Sequence, residues 1–519
     1  MVYLFVPFFH LFIRCFGGII FYKWFNVSTF IGHNASIFYP MEAILKHIEN
    51  LYNTIHPHAW DRIQKIPQSG GDRIYFRISQ GEKSWIATYN LNIKENQTFI
   101  YFANYFYEKG MPVPKILAVN ESCNTYLQED VGAVSLLDVL EKEGKTDAVF
   151  TLFQKSLTAL AKLQIEGAKG LDYSKCLTSK YFGKHSILTD LLYYKYYFLD
   201  TLKYAYDKQA LIDEFEIVSD QLAVSHFDNF MFRDFQSRNI MVQNGEVYFI
   251  DFQGGMQGGL PYDVASLLWQ AKAALSNEWK EKLLDHYIAE LQKLLPSPLE
   301  AGTFKKQYNG FVLLRLLQVL GAYGFRGLFE RKAHFLSSIP LGLENLKSFL
   351  STYTLDKDIP VFASILKWMV SEEVIERFTP PTAGANTPLE ITINSFSYKK
   401  GIPSDSSENG GGFVFDMRGI LNPGRVDEYK KQSGLDKPVQ DFLEQRTKMN
   451  SFLNSVWDLI DITVEDYLKR GFTSLHINFG CTGGQHRSVF AAEQTARHLR
   501  NKYKIKVLLA HTNKENWVK

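Results

Sequence analysis

Cysteine is scarce in this chain of 519 residues, and it is never clustered. The four cysteines, Cys15, Cys123, Cys176 and Cys481, are scattered and form no CxxC pair. This pattern excludes a disulfide framework and a cysteine-rich zinc cluster, and it is typical of a protein of the reducing cytoplasm. The chain also has no GxxxxGK[ST] phosphate loop, so a P-loop nucleotide-binding module is not expected.

An excess of either charge is missing as well. The 57 basic and 55 acidic residues leave a net charge of +2, which excludes an obvious polyanion-binding protein but not a local basic site. Hydrophobic residues make up 46% and charged residues 22%, as in ordinary globular chains. The length corresponds to several domains of ~150 residues each.

The first 40 residues have few charges, only Arg14 and Lys23, and many aromatic residues. These two charges interrupt the run before it reaches the ~18–20 apolar residues of a spanning helix. An amphipathic helix begins at Met41, and we therefore interpret residues 1–40 as a spurious extension. A membrane-associated segment and a genuine structured extension are the alternatives, and membrane contact is expected only if the segment exists.

Changes in hydrophobic period divide the rest of the chain. Helical patterns flank a predicted hairpin at 66–90, and an NG turn at 244–245 predicts a second hairpin. The segment TPPTAGANTP is typical of a linker, and strands and helices alternate after it. The predicted units are a small mixed lobe at 41–130, a helical lobe at 131–365, a linker at 366–388 and an α/β unit at 389–519.

The strongest chemical signal is the run FRDFQSRNIMV, followed by YFIDFQGG. Phosphoryl transfer requires an acceptor hydroxyl held in line with the phosphate and metal ions that neutralise charge. Asp234 fits the base that takes the hydroxyl proton, and Asn239 and Asp251 fit the metal ligands. Each residue alone could equally cap a turn, but the three together with the hairpin favour a phosphotransfer site.

These motifs resemble the protein-kinase-like aminoglycoside phosphotransferase family. The closest resemblance is to the AmgK-like branch, which phosphorylates N-acetylmuramate or N-acetylglucosamine, across GGDRIYFRI, GMPVPKIL, LQEDVG and PYDVASLL. The resemblance covers roughly residues 41–350 and implies an ATP- and Mg²⁺-dependent sugar kinase. It implies Asp234 and Arg233 in the catalytic loop, Asn239 and Asp251 on magnesium, a phosphate loop with Gly70, Gly71, Asp72 and Arg73, a hinge at Glu129, and a buttress at Asp263.

Two departures from the family pattern bear on activity. Phe232 stands where the catalytic loop usually has a histidine, and the strand WIATYN lacks the usual phosphate-pairing lysine. Arg73 or Arg77 could supply positive charge to the phosphates instead, since the arginine fork suits phosphate oxygens. A solvated surface role for either arginine, and a pseudokinase that binds ATP without turnover, are the alternatives.

A second candidate site is the glycine-rich loop GCTGGQHRS, which lies between a predicted strand and a predicted helix that starts near Ser488. Backbone N–H groups at such a helix start, together with His486 and Arg487, predict an anion site. Cys481 and Arg487 also have the C-x5-R spacing of cysteine-dependent phosphatases. No general-acid loop is evident, so Cys481 is interpreted as a packed residue and the phosphatase as a minor alternative.

Residues 389–519 resemble the C-terminal domain of the RNase adapter RapZ, through SFSYKKGIP, FVFDMRGILNP, GLDKPVQDFL and GCTGGQHRS. In that family the domain senses glucosamine-6-phosphate and carries the RNA-binding function. The resemblance implies a phospho-sugar pocket of Thr482, Gly483, Gly484, His486, Arg487 and Ser488, with Asp416, Arg418 and Asn422 nearby. Gly424 and Thr512 replace expected basic residues of the family. The cations of 497–506 could bind RNA, but a solvated helix face is favoured.

The combined prediction is an α+β protein-kinase-like bilobal domain followed by an α/β domain. The predicted function is a cytoplasmic sugar kinase that uses ATP and magnesium, regulated by a phosphorylated amino sugar at the second unit. A nucleotide-binding regulatory adapter that acts on RNA or protein is the main alternative, and nucleotidyl transfer on the same scaffold is a third.

Overall fold

The structure, a computed structural model, describes residues 41–56, 59–66, 73–223, 229–355, 357–405 and 412–518. The predicted extension at 1–40 and the predicted phosphate-loop residues Gly70, Gly71 and Asp72 lie outside the described residues.

The small lobe is built on one five-stranded antiparallel sheet in the order β1-β2-β3-β5-β4. The predicted hairpin is confirmed as β2 and β3, while β1 was not predicted because its pattern RIQKI is polar and half-exposed. The strands are β1 Arg62–Ile66, β2 Ile74–Gln80, β3 Lys83–Tyr89, β4 Ile116–Val119 and β5 Thr125–Glu129.

Two helices cover this sheet, as predicted. α1 (Met41–Ile55) places Ile48 and Leu51 against the sheet in a small separate core. α2 (Ile93–Glu108) buries Phe102 on the face that meets the larger lobe. The aromatic residues of α2 therefore join the two lobes through a shared core.

The second lobe is mainly helical, with its own large hydrophobic core. Its helices are α3 Leu136–Glu143, α4 Asp147–Lys162, α5 Lys184–Tyr197, α6 Lys208–Ala223, α7 Leu260–Leu268, α8 Asn277–Leu294, α9 Ala301–Tyr323, α10 Ala333–Leu336, α11 Ile339–Thr352, α12 Pro360–Met369 and α13 Glu372–Phe378. Four short strands form two pairs, β6 Phe230–Met231 with β9 Met256–Gln257, and β7 Ile240–Gln243 with β8 Glu246–Phe249.

The predicted NG hairpin is confirmed as β7 and β8. Asn244 and Gly245 adopt φ of 54° and 76°, the left-handed values that a two-residue hairpin turn requires. One helical stretch of the described chain, Ala301–Phe329, is long and apolar enough to cross a membrane, and 61% of its apolar window is buried inside the protein.

The linker predicted at 366–388 is shorter than expected. The end of α12 and all of α13 lie within it, and Val374 and Ile375 are buried in the core of the helical lobe. The Pro/Thr/Ala/Gly segment that follows Phe378 contains no helix or strand. The sequence pattern missed α13 because seven residues carry too little periodicity.

The C-terminal unit is an α/β layer with its own core, as predicted. Its four strands are all parallel, in the order β11-β12-β10-β13. Its elements are β10 Glu390–Ser397, β11 Phe413–Asp416, α14 Lys437–Arg446, α15 Met449–Arg470, β12 Ser474–Cys481, α16 Arg487–Tyr503 and β13 Lys506–His511. The carboxyl end of β12 opens into the glycine-rich loop, which leads directly into α16.

The C-terminal unit contacts the helical lobe through an exposed ion pair. Arg331 Nη1, just before α10, lies 2.6 Å from Asp458 Oδ2 on α15. An exposed pair of this kind contributes about 0–1 kcal/mol to stability.

Candidate functional site

An aromatic column joins the two lobes beside the candidate site. The ring of Phe99 on α2 stacks on Phe252 with 4.8 Å between centroids, and Phe252 meets Phe232 at 6.0 Å. All three are buried. The phenylalanine that replaces the usual histidine therefore serves as a packing residue, which holds the catalytic loop against α2.

Asp263 anchors the backbone of the catalytic loop. One carboxylate oxygen accepts from the N–H of Phe232 at 2.7 Å, and the other accepts from the N–H of Arg233 at 2.9 Å. Arg233 has φ of 80°, a conformation that a non-glycine residue keeps only when its surroundings impose it. The predicted buttress role of Asp263 is confirmed.

The side chain of Arg233 lies away from the reacting groups. Its guanidinium makes two hydrogen bonds to Asp190, at 2.9 and 2.8 Å, and one to the hydroxyl of Tyr262 at 2.7 Å. The prediction of a catalytic Arg233 is therefore corrected. Arg233 is a positioning residue, because a buried arginine fork fully engaged with a carboxylate cannot also reach a substrate.

Asp234, Asn239 and Asp251 converge as predicted. Asn239 Nδ2 donates to the Asp234 carbonyl at 2.9 Å and lies 3.5 Å from Asp251 Oδ2. Asp251 has φ of 69°, which turns its carboxylate back toward the loop that carries Asn239. These three residues line one cavity of about 380 Å³.

The donor set fits magnesium. Asn239 Nδ2 is engaged with Asp234, which leaves Oδ1 for a cation, and Asp251 supplies a carboxylate. Mg²⁺ prefers hard oxygen ligands and usually takes only one or two from the protein, with phosphates and waters completing its shell. The site is therefore not a cluster of protein ligands alone: in the described part of the chain, no group of three or more His, Cys, Asp or Glu residues could hold a metal ion.

Arg73 brings positive charge into the site. Its Nη2 lies 2.8 Å from Asp251 Oδ1 and 3.2 Å from Glu95 Oε1 on α2, and its Nη1 donates to Gln253 Oε1 at 3.2 Å. Its side chain is only 12% exposed. Burial acts to lower the pKa of Arg73, but Tyr75 and the neighbouring carboxylates outweigh it, so that the net pKa is raised and the cation is retained.

Arg77 lies in a different environment. Its Nε and Nη2 bond to the carboxylate of Asp130 at 2.6 and 3.1 Å, and Nη2 also donates to the Gly132 carbonyl. This pair orders the loop after β5, and the geometry gives no support to a phosphate contact by Arg77. The N–H of Glu129 donates to the Lys115 carbonyl at 2.9 Å, and the hinge role of Glu129 stays a prediction.

In the C-terminal unit, the carbonyl groups of the loop after β12 are all engaged in hydrogen bonds. They accept, in order along 482–486, from Ser397 Oγ, Asn513 Nδ2, Trp517 Nε1, Gly434 N and Phe490 N. Within the described part of the chain no acceptor is recorded for the N–H groups of 482–486. Successive N–H groups left free in this way are the feature by which such loops bind anions, and the anion site at this loop stays a prediction.

Gly484 is required by this loop. It has φ of 61°, and a Cβ there would lie 3.0 Å from Ser397 N and from Asn513 Cβ. At Gly483 a Cβ would meet nothing within 4 Å. The second glycine therefore fixes the loop shape, whereas the first is tolerant of a side chain.

Arg487 stands at the start of α16 and is 4% exposed. Its Nη1 donates to the carbonyls of Arg418 and Ile420 at 3.1 and 2.7 Å, and its buried Nε has no acceptor in the described residues. Burial lowers the pKa of Arg487. Arg418 in turn pairs with Asp416 at 2.6 Å, so Arg487, Arg418 and Asp416 of the predicted pocket lie next to one another.

His486, Ser488 and Cys481 are turned inward. His486 Nε2 lies 2.9 Å from the Tyr429 carbonyl, and burial lowers the pKa of His486, so the imidazole is neutral at pH 7. Cys481 Sγ lies 3.1 Å from Ser488 Oγ, and both residues are buried. This placement favours the packing interpretation of Cys481 over a phosphatase nucleophile, which must reach its substrate.

Gly424 lies beside His486. A Cβ there would lie 3.0 Å from the His486 ring.

The cations of 497–506 are largely engaged, since Lys502 pairs with Asp461 and Lys506 with Glu390. This supports the solvated-face interpretation, and RNA binding stays a prediction.

Comparison with known proteins identifies both units. Residues 63–296 match the phosphotransferase enzyme family, and residues 389–515 match the RapZ C-terminal domain. The nucleotide-binding protein FN1089 of Fusobacterium nucleatum is 30% identical over 261 residues, which are 46% of this chain and 85% of that protein. The chain belongs to the RapZ-like family of nucleotide-binding proteins. Its N-terminal unit is a domain of the phosphotransferase enzyme family.

Other relatives match a smaller part. A nucleotide-binding protein of Shewanella halifaxensis is 40% identical over 120 residues, 23% of this chain, and the chain spans only 40% of its length. Among solved structures, the amicoumacin kinase hAmiN covers 64% of this chain at 12% identity and a TM-score of 0.42, over 94% of its own length. Choline kinase of Cryptosporidium parvum covers 63% of this chain at 14% identity and a TM-score of 0.43, over 99% of its own length. The fold assignment rests on the family match and the two-lobed architecture.

Several residues of the phosphotransferase domain were not predicted from the sequence. Glu95 pairs with Arg73, and Gln253 bonds both Arg73 and Asp251. Glu95 could have been found from the sequence, because it lies in the first turn of a clearly periodic helix in a kinase-like order of elements. Arg238, in the turn before Asn239, and Arg315, on the helical wall of the cavity, carried no such sequence signal, because the residues that line the cavity are separated in sequence.

Proposed function

We propose that the phosphotransferase domain is an ATP-dependent kinase for a hydroxyl group of an amino sugar such as N-acetylmuramate or N-acetylglucosamine. The observation that carries this proposal is the convergence of Asp234, Asn239 and Asp251 on one cavity, with the Arg73 guanidinium bonded to Asp251. A base, two metal ligands and a cation are the groups that phosphoryl transfer requires.

Asp234 acts as the base. The acceptor hydroxyl oxygen attacks the γ-phosphorus of ATP, its proton passes to the Asp234 carboxylate, and the bond from phosphorus to the β–γ bridging oxygen breaks, so that ADP leaves. Asn239 and Asp251 would hold magnesium, which neutralises phosphate charge when bound. Arg73, fixed by Glu95 and Asp251, faces the same phosphates and takes the place of the phosphate-pairing lysine that the segment WIATYN lacks.

The RapZ C-terminal domain is proposed to bind a phosphorylated amino sugar. The N–H groups of 482–486, which have no acceptor among the described residues, and the buried Arg487 favour a phosphate there. Both units then act on related ligands, and we infer a cytoplasmic sugar kinase whose activity responds to a sugar phosphate. This coupling requires a free-energy linkage between the sites, which adjacency alone does not provide.

A nucleotide-binding adapter is the second candidate. Two observations favour it, the absence of the phosphate-pairing lysine from WIATYN and the RapZ-like relatives of the C-terminal domain. In this case the phosphotransferase domain binds nucleotide as a signal, and RNA or protein binding is the output of the C-terminal domain.

ATP consumption by the full chain with magnesium and a panel of free sugars distinguishes the two. The matched variants are Asp234→Ala and Asp285→Ala, since Asp285 is an exposed aspartate of the same lobe paired with Lys305. We expect sugar-dependent turnover that falls by about 10²–10⁴ in Asp234→Ala, with ATP binding kept, and is unchanged in Asp285→Ala. Nucleotide binding without turnover on any sugar would refute the kinase and favour the adapter.

A further inference from the structure

The cavity beside Asp234 extends beyond the phosphate-binding side of the site. Its far wall is formed by α7, α9 and the segment after α9, including Ser266, Gln318 and Tyr323. Because Asp234 lines the same cavity, this wall borders the space in which the acceptor must lie. We call this part of the cavity the acceptor pocket.

The acceptor pocket carries more positive than negative charge. Among the described residues four arginines line the whole cavity, Arg73, Arg238, Arg315 and Arg326, against the two carboxylates of Asp234 and Asp251. Arg73 is compensated by Glu95 and Asp251, and Arg326 lies 3.7 Å from Glu330. For the other two arginines, the described chain provides no carboxylate within ion-pair distance.

Arg315 is buried and has only neutral hydrogen-bond partners. Its Nη1 donates to Gln318 Oε1 at 2.8 Å and to the Tyr262 hydroxyl at 3.1 Å, and its Nη2 donates to Ser266 Oγ at 2.9 Å. Its Nε is buried without an acceptor in the described residues. The charge of Arg315 also acts on the buried Asp263, whose carboxyl group already holds the catalytic loop. A buried cation of this kind favours an anion brought into the pocket.

Arg238 provides the accessible contact. It lies in the short turn Ser237–Asn239, one residue before the predicted metal ligand, and its side chain is exposed in the cavity. Tyr323 on α9 lines the same cavity, where burial raises the pKa of its hydroxyl and the charge of Arg238 opposes this rise. The exposed guanidinium therefore lies in a cavity where its fork can take a carboxylate with two parallel hydrogen bonds.

We propose that the acceptor carries a carboxylate and that Arg238 binds it, which makes Arg238 a specificity-determining residue. The inference rests on the proposed phosphotransfer at Asp234. A polycationic acceptor would be repelled by the same arginines, whereas the amide side chains of Gln236 and Gln270, which also line the cavity, suit neutral hydroxyl groups.

Two probes that differ in one anionic substituent test this proposal. N-acetylmuramate is N-acetylglucosamine with a lactyl ether that carries a carboxylate. The full chain is compared with Arg238→Gln, Arg238→Lys and the control Arg62→Gln, an exposed arginine on β1. Kinetics with both sugars and titration calorimetry with both sugars in the presence of magnesium and AMP-PNP are measured.

In Arg238→Gln we expect KM and Kd for N-acetylmuramate to rise about tenfold, with kcat within twofold, because a charge-assisted fork is lost. The values for N-acetylglucosamine should change less than twofold, Arg238→Lys should be intermediate, and Arg62→Gln should match the unmodified chain. Equal weakening for both sugars, or no preference of the unmodified chain for N-acetylmuramate in calorimetry, would overturn the proposal. Preferential binding of N-acetylmuramate without turnover would sink the proposed kinase and leave the carboxylate site standing.

Discussion

The Nη2 atom of Arg73 lies 2.8 Å from Asp251 and 3.2 Å from Glu95, so a single guanidinium joins β2, α2 and the loop after β8. In protein kinases a lysine on the neighbouring strand forms the ion pair with the glutamate of the helix. Here that strand reads KSWIATY and presents no suitable cation, and the arginine reaches the same carboxylates from the start of β2. The guanidinium has two terminal nitrogens where lysine has one, and Arg73 uses both, since Nη2 pairs with the carboxylates and Nη1 donates to Gln253.

Replacing Arg73 by methionine should lower kcat/KM for ATP by 100-fold or more, because phosphate charge would lose its cation and α2 would lose its tie to Asp251. Arg73→Lys should recover part of this loss. Arg77→Met is the matched control, since Arg77 pairs with Asp130 outside the cavity. Steady-state kinetics at varied ATP measure the effect, and a larger loss in Arg77→Met than in Arg73→Met would refute the assignment.

The pKa of Asp263 gives a prediction about stability and pH. Burial raises this pKa to about 7, against the opposing effect of the N–H donors of Phe232, Arg233 and Gln164. The unfolded chain releases this proton near pH 4. Between these values the folded protein holds a proton that the unfolded chain lacks, so the contribution of Asp263 to stability falls as pH rises, by about 1.4 kcal/mol per pH unit.

Thermal unfolding of the N-terminal unit at several pH values measures this contribution. We expect the stability of the unmodified chain relative to Asp263→Asn to fall by roughly 2 kcal/mol from pH 5 to pH 6.5. The variant should also lose turnover at all pH values, because an amide nitrogen cannot accept from the loop N–H groups that the carboxylate holds. A pH-independent difference between the two proteins would show that Asp263 stays ionised throughout.

Much of the architecture was predictable, because its elements carry strong local signals. Both lobes, the NG hairpin and the parallel order of the C-terminal unit follow from periodicity and turn residues. The strand β1 and the short helix α13 were missed, since neither has a clear period. At the site, motifs predicted Asp234, Asn239 and Asp251, whereas the inward turn of Arg233 could not be predicted because Asp190 lies 43 residues away. Pockets built from distant residues carry no local signal.

The glycine-rich loop of the RapZ C-terminal domain offers a matched pair of substitutions. Gly484→Ala forces a side chain onto φ of 61° and against Ser397, whereas Gly483→Ala meets open space. We expect the first to destabilise the C-terminal unit by about 1–3 kcal/mol and to abolish binding of glucosamine-6-phosphate. The second should change stability by less than about 0.5 kcal/mol. Unfolding of the C-terminal transition and calorimetry give the two readouts, and equal effects of both substitutions would contradict the loop geometry.

Arg487 and Cys481 separate anion binding from thiol chemistry at the same loop. Arg487→Gln should weaken glucosamine-6-phosphate binding at least tenfold, because a charged donor at the helix start is lost. Cys481→Ser should leave binding within about threefold, since Sγ contacts only the buried Ser488 hydroxyl among the hydrogen-bonding groups described. Release of inorganic phosphate from glucosamine-6-phosphate is the decisive control. Phosphate release by the unmodified chain that disappears in Cys481→Ser would make the thiol a nucleophile, and the same buried packing would then have to open during turnover.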